Sequence, residues 1–385
     1  MRQRLRLNVY QRLRLSAYAF IVVLVVVCAV QAHPAWGIVV DDSGRVIFSD
    51  LETVWRLDAE GRVSSVRAGE FGRHVHDLAL DAAGNLYGID HSYDAPKWID
   101  GLWRITPAGE FSYLFPPTAD APAWLSLRRD RAGNTYFVRQ GADAGDDVLL
   151  LRRSPTGQIS TLAGGRAGFA DGRGAQARFR HIGSMTLAAD DALYLLDAGA
   201  LRRVAPDGTV KTIARDLDKF RPEERPAGGQ MPGGFMGLCV DAGGNTYIAD
   251  HTNRRVLRVG RDGQTTTLLR TDAIWLPTGV AAGPHGEIYM LEIGFTPPRY
   301  YSGPRVRRVA PDGQSTVLAE IGPPNRSGGE RTTPLRVADT QPAARPTHTA
   351  ALTDEHAARG RAVKLSLVFL CLVLLAVSFA GWRRR

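Results

Sequence analysis

Three sets of side chains in this sequence are of types, and at spacings, that could do chemistry. The first recurs about once every 40 to 60 residues: Asp50, Asp90, Arg139, Asp197, Asp250 and Glu292. Five acids at equivalent positions have the makings of a cation site. Asp at a strand end also commonly bonds the backbone of the following turn, and this structural reading is the one we prefer. Arg139 breaks the series and can reach an anionic group or pair with a neighbouring acid. The second set is His76, Asp77, Ser126, His181 and Ser184. Asp77, Ser126 and Ser184 stand where other copies carry Gly37, Gly237 and Gly279. Imidazole and carboxylate are usual metal ligands, so these residues are candidates to hold a divalent metal, calcium or zinc. They also read as solvated residues capping strand ends, and this is the reading we prefer. The third set is aromatic: Tyr93, Trp98, Phe295, Tyr300 and Tyr301, of which Trp98, Tyr300 and Tyr301 are the leading candidates for a partner-binding rim.

Several other chemistries are missing from the sequence. There is no Gly-x-Ser-x-Gly elbow, no phosphate-binding Gly-Lys-Ser/Thr loop and no His-Glu-x-x-His helix. Of three cysteines, Cys28 and Cys371 lie in terminal apolar runs, and Cys239 sits on an expected strand as plain core. That excludes a disulfide framework or a cysteine-based zinc site within the repeats.

These residues are positioned by a sixfold repeat. The copies start at Gly37, Asp77, Ser126, Ser184, Gly237 and Gly279. In each, an apolar stretch meets a glycine turn and a second stretch, most often ending in Asp. A third strand, a turn such as Pro206-Asp-Gly208 or Pro311-Asp-Gly313, and a fourth strand follow. Pro pre-sets one backbone angle of such turns and Gly takes the positive one. Four short antiparallel strands, six times over, predict an all-β six-bladed propeller. With strands a to d counted from the axis, the a–b and c–d turns share one face and are short. Nearly every insertion falls on the other face, in b–c loops such as 91–100, 140–147 and 294–303, or in d–a connections such as 164–180 and 215–234. Elaborated loops on a rigid scaffold are where binding is built. The first and last copies both look complete, which leaves the closure of the ring open.

Within this pattern, Gly237-Leu-Cys-Val-Asp-Ala-Gly-Gly-Asn-Thr-Tyr-Ile-Ala-Asp-His-Thr-Asn-Arg-Arg-Val-Leu-Arg-Val resembles an NHL repeat almost residue for residue. The lead-in Thr161-Leu-Ala-Gly-Gly-Arg-Ala-Gly-Phe-Ala-Asp-Gly-Arg-Gly-Ala-Gln-Ala-Arg-Phe179 is similar to the segment between NHL repeats. The resemblance covers about residues 37–320 and implies the propeller fold, with the strand-end Asp structural and His251 a common variant. The wider six-bladed group includes binding scaffolds, lactonases of the SMP-30/gluconolactonase kind and a zinc-dependent lyase, so it does not choose a function.

The net charge of +9 lies outside the repeats. Residues 1–15 carry five Arg and no acid, the last three residues are Arg, and segment 322–364 has a net +3; subtracting these leaves about −2 for the repeats. That distribution speaks against a nucleic-acid partner. Arg-rich residues before the apolar run Ala17–Val30 predict a signal peptide over 1–32, with a signal anchor as the alternative. The propeller is expected over 33–321, and a Pro-, Thr- and Arg-rich disordered linker over 322–362. A transmembrane helix is expected over 363–385, its Arg tail cytoplasmic. Together these predict a propeller in the periplasm or extracellular space, tethered to the cell membrane. It would bind a protein, peptide or envelope glycan through its loop-rich face. The alternative is a metal-dependent lactonase-like hydrolase or lyase working at the mouth of the central channel.

Overall fold

The computed structural model describes residues 36–70, 72–94, 97–118, 127–141, 146–219, 234–272, 274–296, 299–322 and 340–341. Blade one is β1 (Ile38–Val40), β2 (Val46–Ser49), β3 (Val54–Leu57) and β4 (Val63–Arg67). Blade two is β5 (Arg73–Leu80), β6 (Leu86–Asp94), β7 (Lys97–Ile105) and β8 (Phe111–Thr118). Blade three is β9 (Leu127–Arg129), β10 (Thr135–Gln140), β11 (Asp147–Arg153) and β12 (Ile159–Arg166). Blade four holds β14 (Ile182–Leu187), β15 (Leu193–Asp197), β16 (Ala200–Val204) and β17 (Thr209–Ala214), with β13 (Gly172–Arg173) added outside β17. Blade five is β18 (Phe235–Val240), β19 (Thr246–Asp250), β20 (Arg255–Val259) and β21 (Thr265–Arg270). Blade six is β22 (Trp275–Ala282), β23 (Ile288–Thr296), β24 (Arg299–Val309) and β25 (Ser315–Glu320), edged by β26 (Thr340–Gln341). Six antiparallel sheets of consecutive strands make the chain a six-bladed β-propeller.

The a–b turns show why the sequence folds this way. In blade two the Asp81 carboxylate accepts from the Ala83 and Asn85 backbone N–H groups, the Asn85 amide and the Tyr87 hydroxyl. Gly84 takes the left-handed conformation that closes the turn, at φ +76°. Asp130 with Asn134 and Tyr136, and Asp241 with Asn245 and Tyr247, repeat the arrangement. Burial, and donation to the Asp81 carboxylate, push the Tyr87 phenol up to about 12.

An apolar cluster fills each seam between blades. Ile38, Phe48 and Leu57 of blade one pack with Leu291, Val306 and Ala319 of blade six. The ring therefore closes by packing; among the described residues no strand crosses between sheets. Inner strands also approach closely here. A Cβ at Gly279 would sit 2.4 Å from the Trp36 carbonyl oxygen, and one at Gly237 would sit 2.9 Å from the Gly279 Cα. The seam between blades two and three differs, its buried cluster holding only Ile89, Leu102 and Leu127 among the described residues.

Two connections differ from expectation. Residues 91–100 and 294–303 are largely strand, because the β6–β7 and β23–β24 ladders run on to Asp94↔Lys97 and Thr296↔Arg299. Blades two and six thus carry long hairpins where loops were expected. Thr340–Gln341, from the expected linker, pairs with β25. No helix among the described residues is long and apolar enough to cross a membrane; both terminal apolar runs lie outside those residues.

Candidate binding face

The strand-end acids are held by donors of their own blades, and Asp90 also by Arg67 of blade one. Asp50 accepts from the Trp55 indole at 2.7 Å. Asp90 accepts from Arg67, the Trp103 indole and the Tyr113 hydroxyl. Asp197 takes Arg202 at 2.7 Å, and Asp250 takes Arg255 at 2.8 Å and the Asn253 amide. Glu292 receives Arg305 and Arg307. All five acids are buried, so a lone carboxylate there would be costly, and a strand-c donor offsets that cost. Burial and donation to Asp90 push the Tyr113 phenol up to about 12. These acids are structural, and their donors leave little to offer a cation.

Blade three inverts the pattern. Arg139 replaces the acid, and the strand-c residue opposite it is Leu149, with Leu151 two further on. Neither can donate or accept. Arg139 is exposed, and no hydrogen bond or ion pair holds it among the described residues. It lies on a shallow, open surface depression with Gln140, Gly141, Asp146, Asp147 and Arg166. His181 meets this depression through Gln140, whose Nε2 lies 3.3 Å from the His181 Nε2. The Gln140 Oε1 accepts from the Ile182 N–H, which ties blade three to blade four.

The second set of candidates is dispersed. β5 bulges between Val75 and Leu78, so His76 and Asp77 sit in the irregular segment rather than at the strand's start. Asp77 faces blade three, where its carboxylate accepts from the Arg128 Nη1 at 2.7 Å. His76 instead stacks on Trp36, ring centroids 5.0 Å apart, with His74 and His91 within 6 Å. His91 bonds Asp100 directly across the β6–β7 ladder. Ser184 is buried in β14, and Ser126 lies outside the described residues. No three His, Cys, Asp or Glu among the described residues are grouped to hold a metal ion.

Of the aromatic candidates, Trp98 falls on β7 and Tyr300 and Tyr301 on β24, each in a projecting hairpin. Cys239 is core as expected; burial pushes its thiol up, away from nucleophilic use. His251 is buried, and burial lowers its imidazole below the usual value.

Arg128 and the His91–Asp100 pair are not among the residues expected from the sequence. Arg128 lies opposite Tyr136, a position that Val39, Ala79, Thr186, Cys239 and Ala281 occupy in the other blades. One guanidinium among small or apolar residues on an inner strand was the available signal.

No protein-family model matches the sequence, and no curated protein matches it. Among solved structures, virginiamycin B lyase from Staphylococcus aureus is similar at 16% identity and a TM-score of 0.45, covering 75% of this chain and 85% of that one. A gluconolactonase from Xanthomonas campestris is similar at 17% identity and a TM-score of 0.44, covering 67% and 83%. The PQQ-bound aldose sugar dehydrogenase from Streptomyces coelicolor is similar at 14% identity and a TM-score of 0.41, covering 66% and 87%. These are likenesses of fold, and no chemistry is carried over from them.

Proposed function

We infer that the chain is a membrane-tethered extracytoplasmic propeller that binds a protein, peptide or glycan partner through the face carrying its long hairpins and d–a connections. Arg139 carries this reading. At the one blade where the acid–donor pairing is absent, the replacing guanidinium is exposed and lies on an open surface depression instead of serving the fold. Guanidinium groups suit such a role because they present a fixed fork of donors to acidic groups. The long b–c hairpins of blades two and six extend on the same side as Arg139. The tether rests on the terminal runs of the sequence alone. The metal-dependent hydrolase reading has less support, since Asp77, the carboxylate of its channel-mouth set, accepts from Arg128. Partner capture by the full-length protein, with and without Arg139→Glu, tests the proposal.

A further inference from the structure

Phe169 lies in the connection between blades three and four, and three guanidinium groups gather on its ring. The Cζ atoms of Arg202, Arg215 and Arg180 stand 4.3, 4.2 and 5.1 Å from its centroid. The platform is firmly held. Ala170 and Arg178 exchange backbone hydrogen bonds, and Gly168 donates to the Phe179 carbonyl. Asp171 accepts from the Thr212 N–H and hydroxyl and from Arg202. Burial alone would raise the Asp171 carboxyl, but these donors outweigh it and hold the group below the usual carboxylate range.

The three cations are not equivalent. Arg202 is fully buried, and Asp197 and Asp171 neutralise it. Arg180 and Arg215 are exposed, and no carboxylate among the described residues lies within ion-pair distance of either. The nearby Asp216 is engaged by Lys219 at 2.9 Å. Measured from one centroid, the Arg180 and Arg215 Cζ atoms can be no farther apart than the sum of their distances, 9.3 Å. Both exposed guanidinium groups are anchored on the one ring, and a doubly charged oxyanion accepting from both forks would offset their like charge.

We propose that Arg180 and Arg215, presented on Phe169, form a binding site for a compact dianion of the phosphate-monoester type. The site shares no residue with the depression at Arg139 and does not depend on it.

The test is titration of the full-length protein, in mild detergent, with inorganic phosphate and with glycerol phosphate. Chloride at matched ionic strength is the control, because screening alone also relieves repulsion. Saturable binding of either phosphate, weakened about tenfold or more in both Arg180→Gln and Arg215→Gln, is expected from the loss of charge-assisted bonds. Binding of both compounds points to a phosphoryl group borne on a larger molecule. Binding of inorganic phosphate alone points to the free ion; either supports the site. Both substitutions are at exposed positions, and circular dichroism checks that the fold is kept. A response to chloride equal to that to phosphate overturns the proposal, as do variants that bind like the wild type. Loss in Arg139→Gln alone would move the anion to the blade-three depression and overturn the site, while leaving the partner-binding reading standing.

Discussion

Arg128 of blade three donates to the Asp77 carboxylate of blade two at 2.7 Å, across the seam that holds the Ile89, Leu102 and Leu127 cluster. Both side chains are mostly buried, at 13% and 7% exposed. Like Arg67 with Asp90 between blades one and two, the pair ties neighbouring blades together beside their apolar cluster. A double-mutant cycle with Asp77→Asn and Arg128→Gln, followed by urea unfolding, is expected to give a coupling of about 1–3 kcal/mol. Partner binding by Asp77→Asn should be unchanged. A coupling near zero would show that the pair does not hold the seam.

Arg202 supplies the stronger test of the structural reading of the acids. Its guanidinium is the buried counter-charge of Asp197. Arg202→Met leaves that carboxylate buried without a cation, at an expected cost of about 3–5 kcal/mol. The carboxylate also accepts from the Arg180 and His181 backbone N–H groups, which an Asn oxygen can still do. Adding Asp197→Asn should therefore recover much of the loss in urea denaturation.

The acid limb of stability should depend on His251. Burial lowers its imidazole below the ordinary value, against a smaller raising effect from its bond to the Pro277 carbonyl. The unfolded chain then takes up this proton first as pH falls. The stabilisation is complete above about pH 6.5 and is lost as pH drops below it. Urea midpoints measured between about pH 5.5 and pH 7.5 should fall more steeply for the wild type than for His251→Gln. Equal slopes would contradict this.

The blades were legible because the repeat, the Asp-x-x-Gly and Pro-Asp-Gly turns and the strand alternation are local signals. Asp81, Asn85 and Tyr87 lie within seven residues, and the turn they build follows from that spacing. The structural role of Asp197 and Asp250 was legible too, but their partners Arg202 and Arg255 were not named, since pairing depends on register. The Asp77–Arg128 contact joins different blades, and no single repeat contains it. The His91–Asp100 pair was hidden by reading a long hairpin as a loop; both residues face each other only because β6 and β7 continue to Asp94 and Lys97. Arg139 was visible as an exception, while the Leu149 and Leu151 that leave it without a strand-c partner emerged only from the β10–β11 pairing.

The central claim is that the face around Arg139 binds a partner. The most direct measurement is partner capture by the full-length protein from its own cell envelope, comparing the wild type with Arg139→Glu and with Arg203→Glu on the opposite side of the pairing pattern, where Arg203 meets Asp190. Arg139→Glu is expected to lose the captured partner with its unfolding midpoint unchanged, while Arg203→Glu keeps it. Equal capture by wild type and Arg139→Glu would contradict it.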